Sequence, residues 1–132
     1  MKLGIVGSRR YKNKDKVRKA IEAVINEYGD KIVIISGGAY GADLFGKEIA
    51  LEKGLKYIEF NPSHTNYNQY SGMNEDWYNK PYNVGNFFER NTFIAEHSDY
   101  IIAFIPDGMT SNGTMDTVNK ARKLNKRIII LN

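Results

Sequence analysis

No cysteine occurs in the chain, which excludes a disulfide framework, thiolate metal ligation and thiol catalysis. The two histidines, His64 and His97, lie far apart without HxxxH-type spacing, so no zinc site is expected, nor any other metal or cofactor. No stretch approaches the roughly 18 apolar residues that a membrane span needs. The amino-terminal MKLGIVGSRR has no long apolar core or cleavage-like segment. The expectation is a soluble, cytoplasmic protein without membrane contact. A block of like charge is absent too. The net charge is +4, but the lysines are scattered, as on an ordinary solvated surface, and nucleic acid is not an expected partner. Internal repeats, low-complexity tracts and linkers are also missing.

What is present fits one domain over residues 1–132, since 132 residues with 42% hydrophobic content suffice for one core and little more. Residues 2–6 (KLGIV) read as a strand followed by the loop GSRRYKNK. From Asp15, Val17, Ala20, Ile21, Val24, Ile25 and Tyr28 recur at helical steps and stop at Gly29. KIVIIS is a buried strand. GADLFGKEIALEKG is a helix with Leu44, Ile49 and Ala50 inward, and LKYIEF is the third strand. A tyrosine-rich insertion at about 61–83 precedes a helix over 85–97, the strand DYIIAF, the loop IPDGMTSNG, the helix TMDTVNKARKL and the strand RIIIL. Strands that alternate with helices and are apolar almost throughout imply an α/β, Rossmann-like three-layer sandwich. Its five-stranded sheet should be mostly parallel, in the order 3-2-1-4-5. That order gathers the loops GSRR, SGGAYGAD and PDGMTSNGT along the carboxyl edge at the topological switch point, where open α/β sheets bind ligands.

Each loop carries candidate residues. In SGGAYGAD, three glycines within five positions read as room for a phosphate, with Ser36 and the amides of Gly37, Gly38 and Ala39 as contacts. Asp43, in the first turn of the helix, suits either the helix dipole or a ribose hydroxyl. Gly7, Ser8 and Arg9, with Arg10, offer a tight turn, a hydroxyl and paired N–H donors for phosphate. Asn91 falls on the stripe formed by Val84, Phe87, Phe88, Ile94 and Ala95, where a buried amide must find a partner, and Arg90 borders it. Asn112, Gly113 and Thr114 open the last helix, with Asp116 beside them. Tyr67, Tyr70, Trp77, Tyr78 and Tyr82 in the insertion read either as a lid able to stack on a base or as a satellite core.

Together, the GSR turn, SGGAxGAD, the ERN element and the final GT helix resemble the SLOG superfamily, specifically its YspA-like branch, over nearly the whole chain. Relatives there include the Lonely Guy phosphoribohydrolases, the DprA DNA-processing proteins and sensor domains for NAD-derived signal nucleotides in phage defence. The resemblance implies a small-molecule nucleotide ligand over the switch point, sensed or sequestered. A homodimer is the assembly it implies, because relatives pair through their helices. One alternative it carries is nucleotide N-glycosidic cleavage, with Arg90 matching the arginine of the Lonely Guy HxRK element and Asp116 or Glu89 supplying the acid. Thr117 stands where those enzymes place a glutamate. A further alternative is DprA-like binding of single-stranded DNA.

Overall fold

A computed structural model describes residues 1–132. Five parallel strands form one sheet in the order β3-β2-β1-β4-β5, as the alternation of elements predicts. They are β1 (Lys2–Gly7), β2 (Val33–Ser36), β3 (Lys56–Glu59), β4 (Tyr100–Phe104) and β5 (Arg127–Leu131). The helices are α1 (Lys14–Tyr28), α2 (Ala42–Glu52), α3 (Gly85–His97) and α4 (Asn112–Lys123). Helix α1 starts where Asn13 accepts a hydrogen bond from the Lys16 amide (3.0 Å) and buries Val17, Ile21 and Val24 along one face. It ends at Gly29, whose φ of +90° a side chain would resist.

The sheet separates two apolar cores. Leu3, Ile5, Ile34, Ile102 and Phe104 pack with α1 and α2 on one face. Val6, Ile35, Ile101 and Ala103 pack with α3 and α4 on the other. Each fully buried aliphatic side chain contributes about 1.5–3 kcal/mol relative to exposure. Burial on both faces, expected of every strand, fails at the edge: Ile129 and Ile130 of β5 are 37% and 42% exposed. Only β4 pairs with β5, so its far edge is open.

The insertion forms a satellite core against β3. Glu59 and Ser71 make a parallel bridge; the Glu59 amide donates to the Tyr70 carbonyl (2.8 Å) and the Gly72 amide to the Glu59 carbonyl (2.9 Å). The buried Glu59 carboxylate accepts from the Tyr57 hydroxyl (2.8 Å) and the side-chain amides of Asn61 (2.9 Å) and Asn68 (3.1 Å). Tyr70 sits edge-on to Tyr57, Tyr67 to Tyr78, and Trp77 to Phe93 on α3. The Trp77 indole also donates to the Asn61 carbonyl (3.0 Å). No helix is long and apolar enough to cross a membrane.

Candidate functional site

The carboxyl ends of β1 and β4 and the start of α2 are stitched together through backbone. The Ser8 amide donates to the Phe104 carbonyl (3.0 Å), while the Ser8 carbonyl accepts from Tyr11 (3.1 Å) and Ala42 (3.4 Å). Gly41 makes that approach possible. Its φ is +76°, and a Cβ there would stand 2.2 Å from the Ser8 carbonyl oxygen. Between these loops and α3 opens a cleft of about 650 Å³, a size suited to a small ligand.

Arg90 forms the floor. It is buried, with Nε donating to Asn91 Oδ1 (3.0 Å) and Nη1 to the Gly37 carbonyl (2.6 Å). Nη2 donates to no protein atom. Burial lowers the Arg90 pKa, Asp43 opposes that, and the like charge of Arg9 adds to it; a guanidinium starts so high that it stays charged. Arg9 and Arg90 both stand over the Phe87 ring, at 5.5 and 5.9 Å from its centroid. Arg10 also lines the cleft, making three cations.

Asp43 is the one carboxylate on the wall. Burial raises its pKa to about 6, against the pull of Arg90 and of the Gly37 and Ala39 amides. The Gly37 amide donates to its Oδ2 (2.9 Å). The opposite wall is the start of α4. Ser111 caps it with no bond from its side chain to the backbone, donating instead to Thr114 Oγ1 (2.7 Å). First-turn amides of a helix have no acceptor within it, so those at Gly113 and Thr114 are open to an anion. Asn91 braces this wall, its Nδ2 donating to the Gly113 carbonyl and to Asp116 Oδ2 (both 3.2 Å).

The structure therefore brings Gly7, Ser8, Arg9, Ala39, Asp43, Arg90, Asn91, Gly113 and Thr114 to one cleft. Other candidates lie elsewhere. Ser36 is wholly buried, with its hydroxyl 2.5 Å from that of Tyr57. Gly37 has no amide left for a phosphate, because Asp43 takes it. A Cβ at Gly37 would fall 2.5 Å from Arg90 Nη1, and one at Gly38 2.6 Å from Asn61 Nδ2, so these glycines make room for protein side chains. Asn112 is exposed and outside the cleft, and Glu89 is exposed with no side-chain partner. Asp116 is held by Lys120 (2.9 Å) and Asn91 away from the lining. None of Tyr67, Tyr70, Trp77, Tyr78 and Tyr82 lines the cleft; the insertion packs on β3 and α3, with Tyr82 reaching Phe87 at the cleft mouth (6.3 Å between ring centroids).

The apolar mouth is made by residues assigned to a buried stripe. Val84 and Phe88 are exposed, and with Phe87 they line the entrance, whereas Asn86, Arg90 and Asn91 are the buried polar positions of α3. Met109 and Ser111 also line the cleft without having been singled out as contacts. Their place in the loop after β4, at the switch point, was the available signal. No group of three or more His, Asp or Glu side chains is placed to hold a metal.

Against this geometry, the sequence profile of a family described as DNA recombination-mediator protein A matches residues 1–132. An uncharacterized protein of Acanthamoeba polyphaga mimivirus is 33% identical over 141 aligned positions, covering 85% of this chain and 78% of that one. The crystal structure of DNA processing protein A (DprA) from Streptococcus pneumoniae superposes with a TM-score of 0.72 at 23% identity, over 98% of this chain and 49% of that one. The molybdenum cofactor binding protein of Rippkaea orientalis superposes with a TM-score of 0.70 at 21% identity, over 98% and 74%. The chain thus spans about half the length of the Streptococcus protein. At such identities the likeness to solved structures is one of fold, a Rossmann-like α/β domain of the kind found in DprA.

Proposed function

The chain belongs to the DNA recombination-mediator protein A family, and from that premise we propose that its cleft binds a phosphorylated nucleotide or NAD-derived nucleotide, as a sensing or sequestering domain of the YspA-like kind. The observation that carries this reading is Arg90, a buried guanidinium fixed by Asn91 and Gly37 with Nη2 left over for a ligand. A cation held in the floor at this desolvation cost is organised for an anion before the anion arrives. Arg9, Arg10 and the open amides at the start of α4 supply further donors, and Phe87 and Phe88 a planar apolar surface for a base. N-glycosidic cleavage finds less support. Asp116 is engaged with Lys120 and Asn91, Glu89 faces solvent, and Thr117 cannot ionise.

To test this, the protein is incubated with nucleoside monophosphates, NAD and cyclic ADP-ribose-type nucleotides, and the retained and flow-through fractions are read by mass spectrometry. An intact retained compound whose affinity falls at least about tenfold in Arg9→Ala, the loss of a charge-assisted contact, is the expected result. Retention of none of them overturns the reading, and free base with ribose phosphate in the flow-through establishes hydrolysis instead.

A second reading, single-stranded DNA bound as in the DprA comparison of the sequence, is favoured by the rim. Tyr82, 70% exposed, packs against Phe87 at the mouth, and Arg9 stands over the same Phe87 ring. Exposed aromatic rings beside arginines suit stacked bases over a phosphate track. Affinity for an oligothymidylate falling steeply with salt supports this reading; no binding at low salt removes it.

A further inference from the structure

A carboxylate in an anion site works against the anion. The cleft wall holds three arginines and one acid, Asp43, which is only 5% exposed. Gly37 lies between Asp43 and Arg90: the same absent Cβ would stand 2.5 Å from Arg90 Nη1 and 2.9 Å from Asp43 Oδ2. The carboxylate and guanidinium therefore face the cleft side by side, yet form no direct ion pair: the guanidinium donates to the Gly37 carbonyl and the carboxylate accepts from the Gly37 amide. A site for bare phosphate would hold its ligand better with a neutral residue at position 43, because like charges at short range repel. What a carboxylate beside a cation does recognise is a ligand that joins an anionic group to a hydrogen-bond donor.

The geometry points to Asp43 as a specificity-determining residue that accepts a hydrogen bond from a sugar hydroxyl of the ligand, so that the cleft selects ribose phosphates over phosphates lacking that hydroxyl. This rests on the nucleotide-binding reading and narrows it. Arg90 and the α4 amides hold the phosphate end, and Asp43 tests whether a donor accompanies it. A partner lacking the hydroxyl displaces water from a desolvated carboxylate without returning a donor to the acceptor sites that the backbone amides leave free, which discriminates against it. Asp43 thus acts by rejection as much as by attraction.

The test compares adenosine 5′-monophosphate, its 2′,3′-dideoxy analogue and inorganic phosphate by isothermal titration calorimetry, with the native chain and with Asp43→Asn. The native chain is expected to prefer the ribose compound at least about tenfold, as a hydrogen bond to a charged group implies. In Asp43→Asn the preference should shrink to within about threefold while inorganic phosphate binds as well or better. Equal affinity of the native chain for ribose and dideoxy compounds overturns the inference, and that measurement needs no variant. A preference that persists in a folded Asp43→Asn protein also overturns it, leaving Asp43 as a brace for the turn. If the native chain binds none of the three compounds, nucleotide binding itself fails; binding indifferent to the hydroxyls removes only the role of Asp43.

Discussion

Replacing Asp43 by asparagine should change how stability depends on pH, and the size of the effect can be worked out. Burial lifts the folded-state pKa to about 6 from an ordinary 3.8. Between these values the folded chain holds a proton that the unfolded chain has released. The protein is thus destabilised as pH rises from about 4 to about 7, by roughly 1.4 kcal/mol for each unit of difference, or about 3 kcal/mol in full. Asparagine keeps the shape and cannot ionise, so the term vanishes, and other titrating groups cancel when the two proteins are subtracted. Urea unfolding of both proteins at pH 4, 5, 6 and 7 should show the stability of Asp43→Asn relative to the native chain increasing by about 2–3 kcal/mol across the series. A difference independent of pH, or one that moves in the opposite direction, refutes the reasoning. It would mean that Arg90 and the two amides outweigh desolvation, leaving Asp43 with an ordinary or depressed pKa.

Three further outcomes follow from the same contacts. Gly37→Ala places a methyl group 2.5 Å from Arg90 Nη1; it should cost about 1–3 kcal/mol in urea unfolding and abolish nucleotide retention by displacing the cleft floor. Gly41→Ala combines a φ of +76° with a contact 2.2 Å from the Ser8 carbonyl, and a loss of at least about 2 kcal/mol is expected in thermal unfolding. Trp77→Ala removes an indole packed on Phe93 and bonded to Asn61; it should speed proteolysis within residues 61–83 while leaving ligand affinity within about twofold, because neither Trp77 nor its partners Phe93 and Asn61 line the cleft.

The sheet could be read from the sequence because its signals are local and repeated. The β-branched run Ile32-Val33-Ile34-Ile35 between polar and glycine-rich segments reads as a strand, and the crossover rule leaves few orders for five strands joined by helices. Asn91 was legible for a similar reason, as an amide on an apolar face that had to find a partner. The glycines of SGGAYGAD were harder. A glycine reports that something approaches the backbone and not what approaches, and here the visitors are Arg90, Asn61 and the Ser8 carbonyl, all distant in sequence. The aromatic insertion was ambiguous in the same way, since tyrosines that stack on a base and tyrosines that pack on a neighbouring strand look alike until β3 and α3 are in place. Val84 and Phe88 show the reverse case, apolar residues with helical spacing that line an entrance.

The contacts of Arg90 with Gly37 tie α3 to the end of β2, and those of Gly37 with Asp43 tie β2 to α2, so occupancy of the cleft and unfolding of the chain are thermodynamically linked. A compound that binds only the folded chain stabilises it by about 2.7 kcal/mol at a hundredfold excess over its dissociation constant. For a chain of this length that amounts to a rise of about 10 °C in the melting midpoint. Heat alone can therefore pick a ligand out of a metabolite extract before its chemistry is known, and loss of that shift in Arg9→Ala would show that it had settled in this cleft.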